Sequence, residues 1–161
     1  MSDPILVVRT GTHDDYEAVA AMQREIQEAH WQAAPHYYQP PSPETLTRAT
    51  FDGWLADANR ELVVVALAGR VVGYAWLILH ERAADNIRPA MRIVEIGQLC
   101  VTASERGHGY GRRLLDEIDA RARARKADTL ELTAWLFNRD AIDVYEKHGF
   151  APLWQRMSRA L

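Results

Sequence analysis

Apolar positions follow two rhythms along the chain. In Ile5 to Arg9, Glu61 to Leu67, Val71 to Leu79, Ile93 to Val101, Leu130 to Leu136 and Leu153 to Met157 they form short runs or alternations, the pattern of strands. Elsewhere they recur every three or four residues. Val19, Met22 and Ile26 predict a helix reaching about His30, and Phe51, Trp54 and Leu55 give a second helix its buried stripe. Two more helices are expected, from Tyr110 to about Arg125 and from Asn138 to His148.

Local signals mark the ends of these elements. Thr12, with Asp15 three residues on, is a capping-box variant. Ser42 is placed to cap the second helix, with Pro43 in its first turn, where a missing N–H is harmless. Ala68-Gly69-Arg70 joins two strands as a hairpin. Glu81 to Ala90 is polar and reads as a loop, and Gly149 stands where a helix ends. The resulting order, β-α-α-β-β-β-α-β-α-β, begins with antiparallel strands and continues through a strand-helix-strand crossover. It describes an α/β protein with a mixed central sheet and helices on both faces. No repeat or linker interrupts it, so residues 1–161 read as a single domain.

Composition narrows the functional classes. The chain is 48% hydrophobic and 25% charged, ordinary for a globular domain, and its net charge of −3 argues against a nucleic-acid partner. The basic run Arg121, Arg123, Arg125 and Lys126 fits a helix C-terminus and a solvated outer face. Cys100 is the single cysteine, so no internal disulfide forms, which suits a cytoplasmic location, and its place in a strand suggests packing. No apolar run reaches the roughly 18 to 20 residues that span a bilayer, and Met1 to Pro4 carry no secretory signal pattern. His30, His36, His80, His108 and His148 are scattered without ligand spacing, so no metal site is expected.

The chemistry-bearing segment is Arg106-Gly107-His108-Gly109-Tyr110-Gly111, between a strand and an amphipathic helix. Such a turn frees backbone N–H groups at the positive end of a helix, which suits phosphate. Two familiar phosphate patterns fail. Arg112-Arg113 follows Gly111 where a P-loop requires Lys-Ser/Thr, and Arg112 occupies the sixth position of a dinucleotide fingerprint begun at Gly107. What remains is Arg-x-x-Gly-x-Gly, which resembles the acyl-coenzyme-A signature of the GNAT superfamily of N-acetyltransferases. A second segment, Asn138 to Phe150, supplies an Asn, an Ala three residues on at Ala141, then Tyr145, and finally Gly149-Phe150. It resembles a second signature of the same family, in the right order and separation. The element order agrees over nearly the whole chain.

The resemblance implies a GNAT fold and an acetyl-CoA-dependent N-acetyltransferase that acts by direct attack of an amine in a ternary complex, without a metal. It implies that Arg106, Gly107, His108, Gly109, Tyr110, Gly111 and Arg112 cradle the pyrophosphate. Leu99, Cys100 and Val101 would run along the pantetheine arm, with Leu99 and Val101 pairing through backbone groups and a strand bulge freeing an N–H for the thioester oxygen. Asn138 stands at a helix N-cap and would serve as cap alone or also bond the arm. By spacing alone Tyr145 is a core tyrosine; the resemblance makes it the general acid at sulfur. Glu95 is the candidate base, relayed through water, with an ion-paired or sheet-edge glutamate as the alternative. If the strand is regular, Glu95, Gly97, Leu99 and Val101 share one face. The acceptor, a small-molecule or peptide amine, would meet the aromatic stretch around Trp31, Tyr37 and Tyr38, which would equally pack the first two helices. A homodimer through the C-terminal strand is a further expectation from the family. The alternative function is an acyl-CoA-binding sensor without efficient turnover.

Overall fold

The computed structural model describes residues 5–159. Five strands form one sheet in the order β1-β2-β3-β4-β5: β1 is Leu6–Thr10, β2 Arg60–Leu67, β3 Arg70–Arg82, β4 Met91–Val101 and β5 Thr129–Leu132. The first four are antiparallel neighbours, whereas β4 and β5 run parallel. A parallel pair needs a crossover, and α3 (Tyr110–Ala124) provides it. Helices α1 (Tyr16–Ala33) and α2 (Arg48–Ala56) cover the opposite face, and α4 (Arg139–Lys147) follows β5. The α/β class with a mixed sheet is as expected.

Alternation in the central strands separates two cores. Val63, Val65, Ala75 and Leu77 join Leu114, Leu115 and Ile118 of α3. Leu62, Val64, Tyr74 and Trp76 join Val19, Met22 and Phe51 of the other helical layer. Burial on both faces explains why Leu62 to Ala66 is an unbroken apolar run. Each fully buried Leu or Val contributes about 1.5–3 kcal/mol relative to leaving it exposed.

The ends are set by local chemistry. The Thr12 N–H donates to the Asp15 carboxylate at 2.8 Å, and Arg9 reaches the same carboxylate with two bonds of 2.8 Å. Burial raises the Asp15 pKa, but the hydrogen bonds from Arg9 and the Thr12 N–H outweigh it and leave the carboxyl below its ordinary range. The hairpin turn holds Ala68 at φ 49° and Gly69 at φ 82°, the pair of left-handed residues that a type I′ turn requires.

Five expectations need correction. Ser42 and Pro43 open only a short 3₁₀ turn, Pro43–Thr45, and α2 begins after Thr47, whose side chain accepts the Thr50 N–H. β3 runs on to Arg82, shortening the expected loop, and β5 stops at Leu132 rather than Leu136. Leu153 to Met157 is not a strand: residues 151–159 have no regular structure and are exposed. The alternation is present there, but no neighbouring strand among the described residues supplies the hydrogen bonds. Lastly, the basic run is a solvated face only in part: Arg123 and Lys126 are exposed at the end of α3, but the other two are not free. Arg121 and Arg125 both turn onto the Glu61 carboxylate of β2, and Arg121 also bonds Glu117 at 2.8 Å.

Candidate functional site

The site is built on a break in the sheet. β4 pairs with β5 from Ile93↔Thr129 to Ile96↔Leu132 and no further. On its other side β4 stays paired with β3 as far as Val101↔Gly73. Between these limits the β3–β4 register slips: Leu77 faces Ile96, Trp76 faces Gln98, and Gly97 is the extra residue. A bulge bends its strand and disrupts the ladder. Beyond it, Gln98 to Val101 parts from β5, leaving about 13 Å of strand edge open at roughly 3.3 Å per residue. An unpaired edge is a template for an extended ligand.

The bulge also reverses the facing of β4. Val94 and Ile96 lie in the α3-side core, and Leu99 and Val101 pack on that same core, whereas Cys100 lies in the core beneath α1. Glu95 stands opposite Ile78, and Gln98 opposite Trp76, so these share the α1/α2 face with Cys100. The expectation that Glu95 shares a face with Leu99 and Val101 is therefore corrected: the inserted Gly97 shifts the period.

After Val101 the chain is pinned by Glu25 of α1. Its carboxylate accepts the Thr102 hydroxyl at 2.8 Å and the Ala103 N–H at 2.9 Å. Arg106 donates from Nε to the Val101 carbonyl at 3.0 Å and lies 3.6 Å from Glu25. Gly109 sits at the α3 N-cap with φ 82°. The first bond of α3 runs from the Arg113 N–H to the Gly109 carbonyl, 3.1 Å. Among the described residues, no backbone acceptor serves the N–H groups of Gly107 to Arg112. Six donors thus gather at the positive end of a 15-residue helix. His108 bonds the Glu105 carbonyl at 3.2 Å and stacks on Tyr110 with centroids 5.8 Å apart.

Tyr145 approaches from α4. It packs on the same core as Leu99, Val101 and Leu132, the residues that flank the opening, and its ring meets Phe150 at 5.9 Å. Burial, with a smaller contribution from Cys100, raises its phenol pKa above the ordinary value, so it carries its proton at neutral pH. The buried Cys100 thiol is pushed up to about 11, first by burial and then by Glu25. A thiol held protonated is a packing group rather than a nucleophile. Asn138 is the N-cap of α4, but its side chain makes no capping bond, which leaves its amide available.

A cleft of about 220 Å³ opens on the α2 side of the bulge, lined by Trp54, Arg60, Trp76, Ile78, Glu95, Gly97 and Gln98. The Glu95 carboxylate lies 2.7 Å from His80 Nε2. The sequence reading had Trp54 only as core and did not single out His80 as a partner, Arg60, Trp76 or Gln98. The β2–β3–β4 register brings the strand residues together, and α2 packs Trp54 against Trp76 above them. The aromatic stretch lies elsewhere. Tyr38 accepts the Trp135 indole N–H at 2.6 Å, and the Tyr37 ring lies tilted against Trp135 at 5.4 Å, so both are joined to the connection between β5 and α4. Trp31, half-buried on α1, forms no aromatic pair among the described residues. No group of three or more metal-ligating side chains occurs among the described residues.

Comparisons with known proteins fit this geometry. The model of the acetyltransferase (GNAT) family matches residues 24–150. A mycothiol acetyltransferase of Jonesia denitrificans is 32% identical over 101 residues, covering 62% of this chain but only 30% of that protein. The chain therefore spans less than a third of that relative's length in the match. Among solved structures, a tetramutant of the BH1408 protein of Bacillus halodurans superposes with TM-score 0.93 at 24% identity, covering 96% of this chain and 99% of that one. A ribosomal-protein-alanine N-acetyltransferase of Brucella melitensis biovar Abortus 2308 gives TM-score 0.70 at 16% identity, covering 98% of this chain and all of that one (100%). These two likenesses speak to the fold.

Proposed function

We propose, for a chain that belongs to the GNAT acetyltransferase family, that it transfers an acetyl group from acetyl-CoA to a primary amine by direct attack in a ternary complex. The observation that carries this reading is the opening of β4 from β5 at Gly97, leading straight into six unpaired N–H groups at the start of α3. The residues fit the cofactor. Gly107 to Arg112 would hold its pyrophosphate, with Arg106 fixing the loop to Val101. The strand edge from Leu99 through Cys100 to Val101 would pair with its amide-bearing arm, which the Asn138 amide would also reach.

The thioester supplies the activated acetyl group; the rest falls to the chain. An amine of lysine-like pKa, about 10.4, is neutral in only about one part in a few thousand at pH 7, so proton removal assists attack. Glu95, facing the cleft beside the bulge, takes that proton through water. The disrupted ladder at Gly97 releases backbone N–H groups from pairing, and such a donor would receive the developing oxyanion. Tyr145, on the other face of β4 and protonated at working pH, returns a proton to the departing sulfur. Base and acid thus meet the substrate from opposite sides of one strand.

A homodimer belongs to the same reading. Leu153, Trp154 and Met157 are 75%, 70% and 84% exposed, an apolar segment that a second copy would cover. Light scattering should give the dimer mass, and a monomer mass would refute it. No helix among the described residues is long and apolar enough to cross a membrane, in keeping with a cytoplasmic enzyme.

The test is acetyl-CoA-dependent thiol release over a broad amine panel, with products identified by mass. A responding amine, slowed in Tyr145→Phe, is expected. Tight acetyl-CoA binding with no acceptor-dependent thiol release, on small amines and peptides alike, would instead identify a sensor.

A further inference from the structure

The cleft beside the bulge holds groups that acyl transfer alone does not require. Arg60 lies opposite Ile78, and Ile78 opposite Glu95, so the three form one row across β2, β3 and β4 on a single face. At roughly 4.8 Å between strands, the Cα atoms of Arg60 and Glu95 stand about 10 Å apart with an apolar residue between them. One end of the row carries a guanidinium and the other a carboxylate.

Both ends are oriented. Glu95 is held by His80 Nε2 at 2.7 Å. The Arg60 guanidinium lies 5.1 Å over the Trp54 ring and 3.4 Å from the Asp57 carboxylate, an ion pair too loose to consume its N–H fork. Trp76, packed edge to face against Trp54 at 5.3 Å, contributes to the wall. It is 1% exposed, yet its indole N–H has no acceptor among the described residues. Buried donors without partners are uncommon in native proteins, and this one belongs to a residue of the cleft. At about 220 Å³ the space is smaller than the roughly 300–1,000 Å³ of drug-sized sites.

Resting on the acetyltransferase reading above, we propose that this cleft binds a small primary amine that also bears a carboxylate, and that Arg60 selects for it. The amino group lies toward Glu95, where its proton is removed. The carboxylate meets the free fork of Arg60, a geometry that favours paired N–H···O bonds. The short apolar spacer lies over Ile78, alongside the wall that Trp54 and Trp76 form together. Such an acceptor is oriented by both ends, so its nitrogen is presented to the bulge at Gly97.

The experiment uses the full chain with CoA present. Calorimetric titrations compare 4-aminobutanoate and 5-aminopentanoate with butylamine and pentylamine, which lack the carboxylate. The amino acids should bind at least tenfold more tightly. Arg60→Gln should abolish that preference and Arg60→Lys should retain part of it, with thermal melting confirming that both variants fold. Equal affinities, no binding of either class, or a preference that survives in Arg60→Gln overturns the proposal. Thiol release separates it from the reading on which it rests. Amino acids that bind with the stated preference but are not acetylated argue against the transferase and leave the cleft's selectivity standing. Turnover of amines without regard to a carboxylate does the reverse.

Discussion

Gly69 and Gly109 offer a matched pair of perturbations. Both adopt φ 82°, and a Cβ built at either would meet nothing within 4 Å. Alanine at either position thus introduces no clash, only the left-handed backbone that L-residues disfavour by about 1–2 kcal/mol. Alanine also restricts the unfolded chain, offsetting about 0.4–1 kcal/mol of that loss. The net destabilisation should be about 1 kcal/mol in each, which for a domain of this size lowers Tm by about 2–4 °C. The two positions part company in function. Gly69 lies in the β2–β3 hairpin, whereas Gly109 caps α3 in the middle of the six free N–H groups. Relaxing the strain at Gly109 turns those donors away from a common point, so affinity for CoA should fall at least tenfold in Gly109→Ala and remain unchanged in Gly69→Ala. Thermal denaturation and calorimetric CoA titration of both variants provide the assay. Equal CoA affinities in the two, at similar losses of stability, would refute the assignment of this loop.

Further predictions concern protons. Glu95→Gln should lower kcat/KM and remove the acid limb of the pH–rate profile while CoA affinity is kept; an unchanged profile rules out Glu95 as the base. The Cys100 thiol, at about 11, and the Tyr74 and Tyr145 phenols are all held above their ordinary values chiefly by burial. The folded chain therefore retains protons that the unfolded chain releases, so this stability is intact below about pH 9 and lost as pH rises toward 11. A urea midpoint that stays flat from pH 8 to pH 11 would contradict that. Asp15→Asn removes the charge that receives the paired Arg9 bonds and should destabilise by about 1.5–3 kcal/mol. A midpoint within error of the parent chain would show that the ion pair contributes nothing.

Much of the site was legible from local chemistry. Glycine placement between a strand and an amphipathic helix is a short-range signal, and the free N–H groups of Gly107 to Arg112 follow from it. The helix ending at Gly149 is of the same kind. What escaped depends on pairing. A bulge in this strand was expected from the family resemblance, but its place at Gly97 is a mismatch between β3 and β4 that neither strand alone reveals, and with it went the facing of Glu95. Arg60 and Trp76 reach the cleft through cross-strand register and Trp54 from the overlying α2, while His80 meets Glu95 across β3 and β4. Leu153 to Met157 has a strand's pattern but lacks a neighbour, and pattern does not specify one. Arg121 and Arg125 read as helix-terminal cations until the fold brought Glu61 beneath them.

The central claim is that acetyl-CoA occupies the gap where β4 leaves β5, with its phosphates on the start of α3. Backbone amide shifts of isotopically labelled protein, followed on addition of CoA, test it residue by residue. The account predicts the largest changes at Leu99, Val101 and Gly107 through Arg112, with the β1–β2 pairing undisturbed. Saturable CoA binding that leaves those amides unmoved, or that shifts a different face of the sheet, would contradict it.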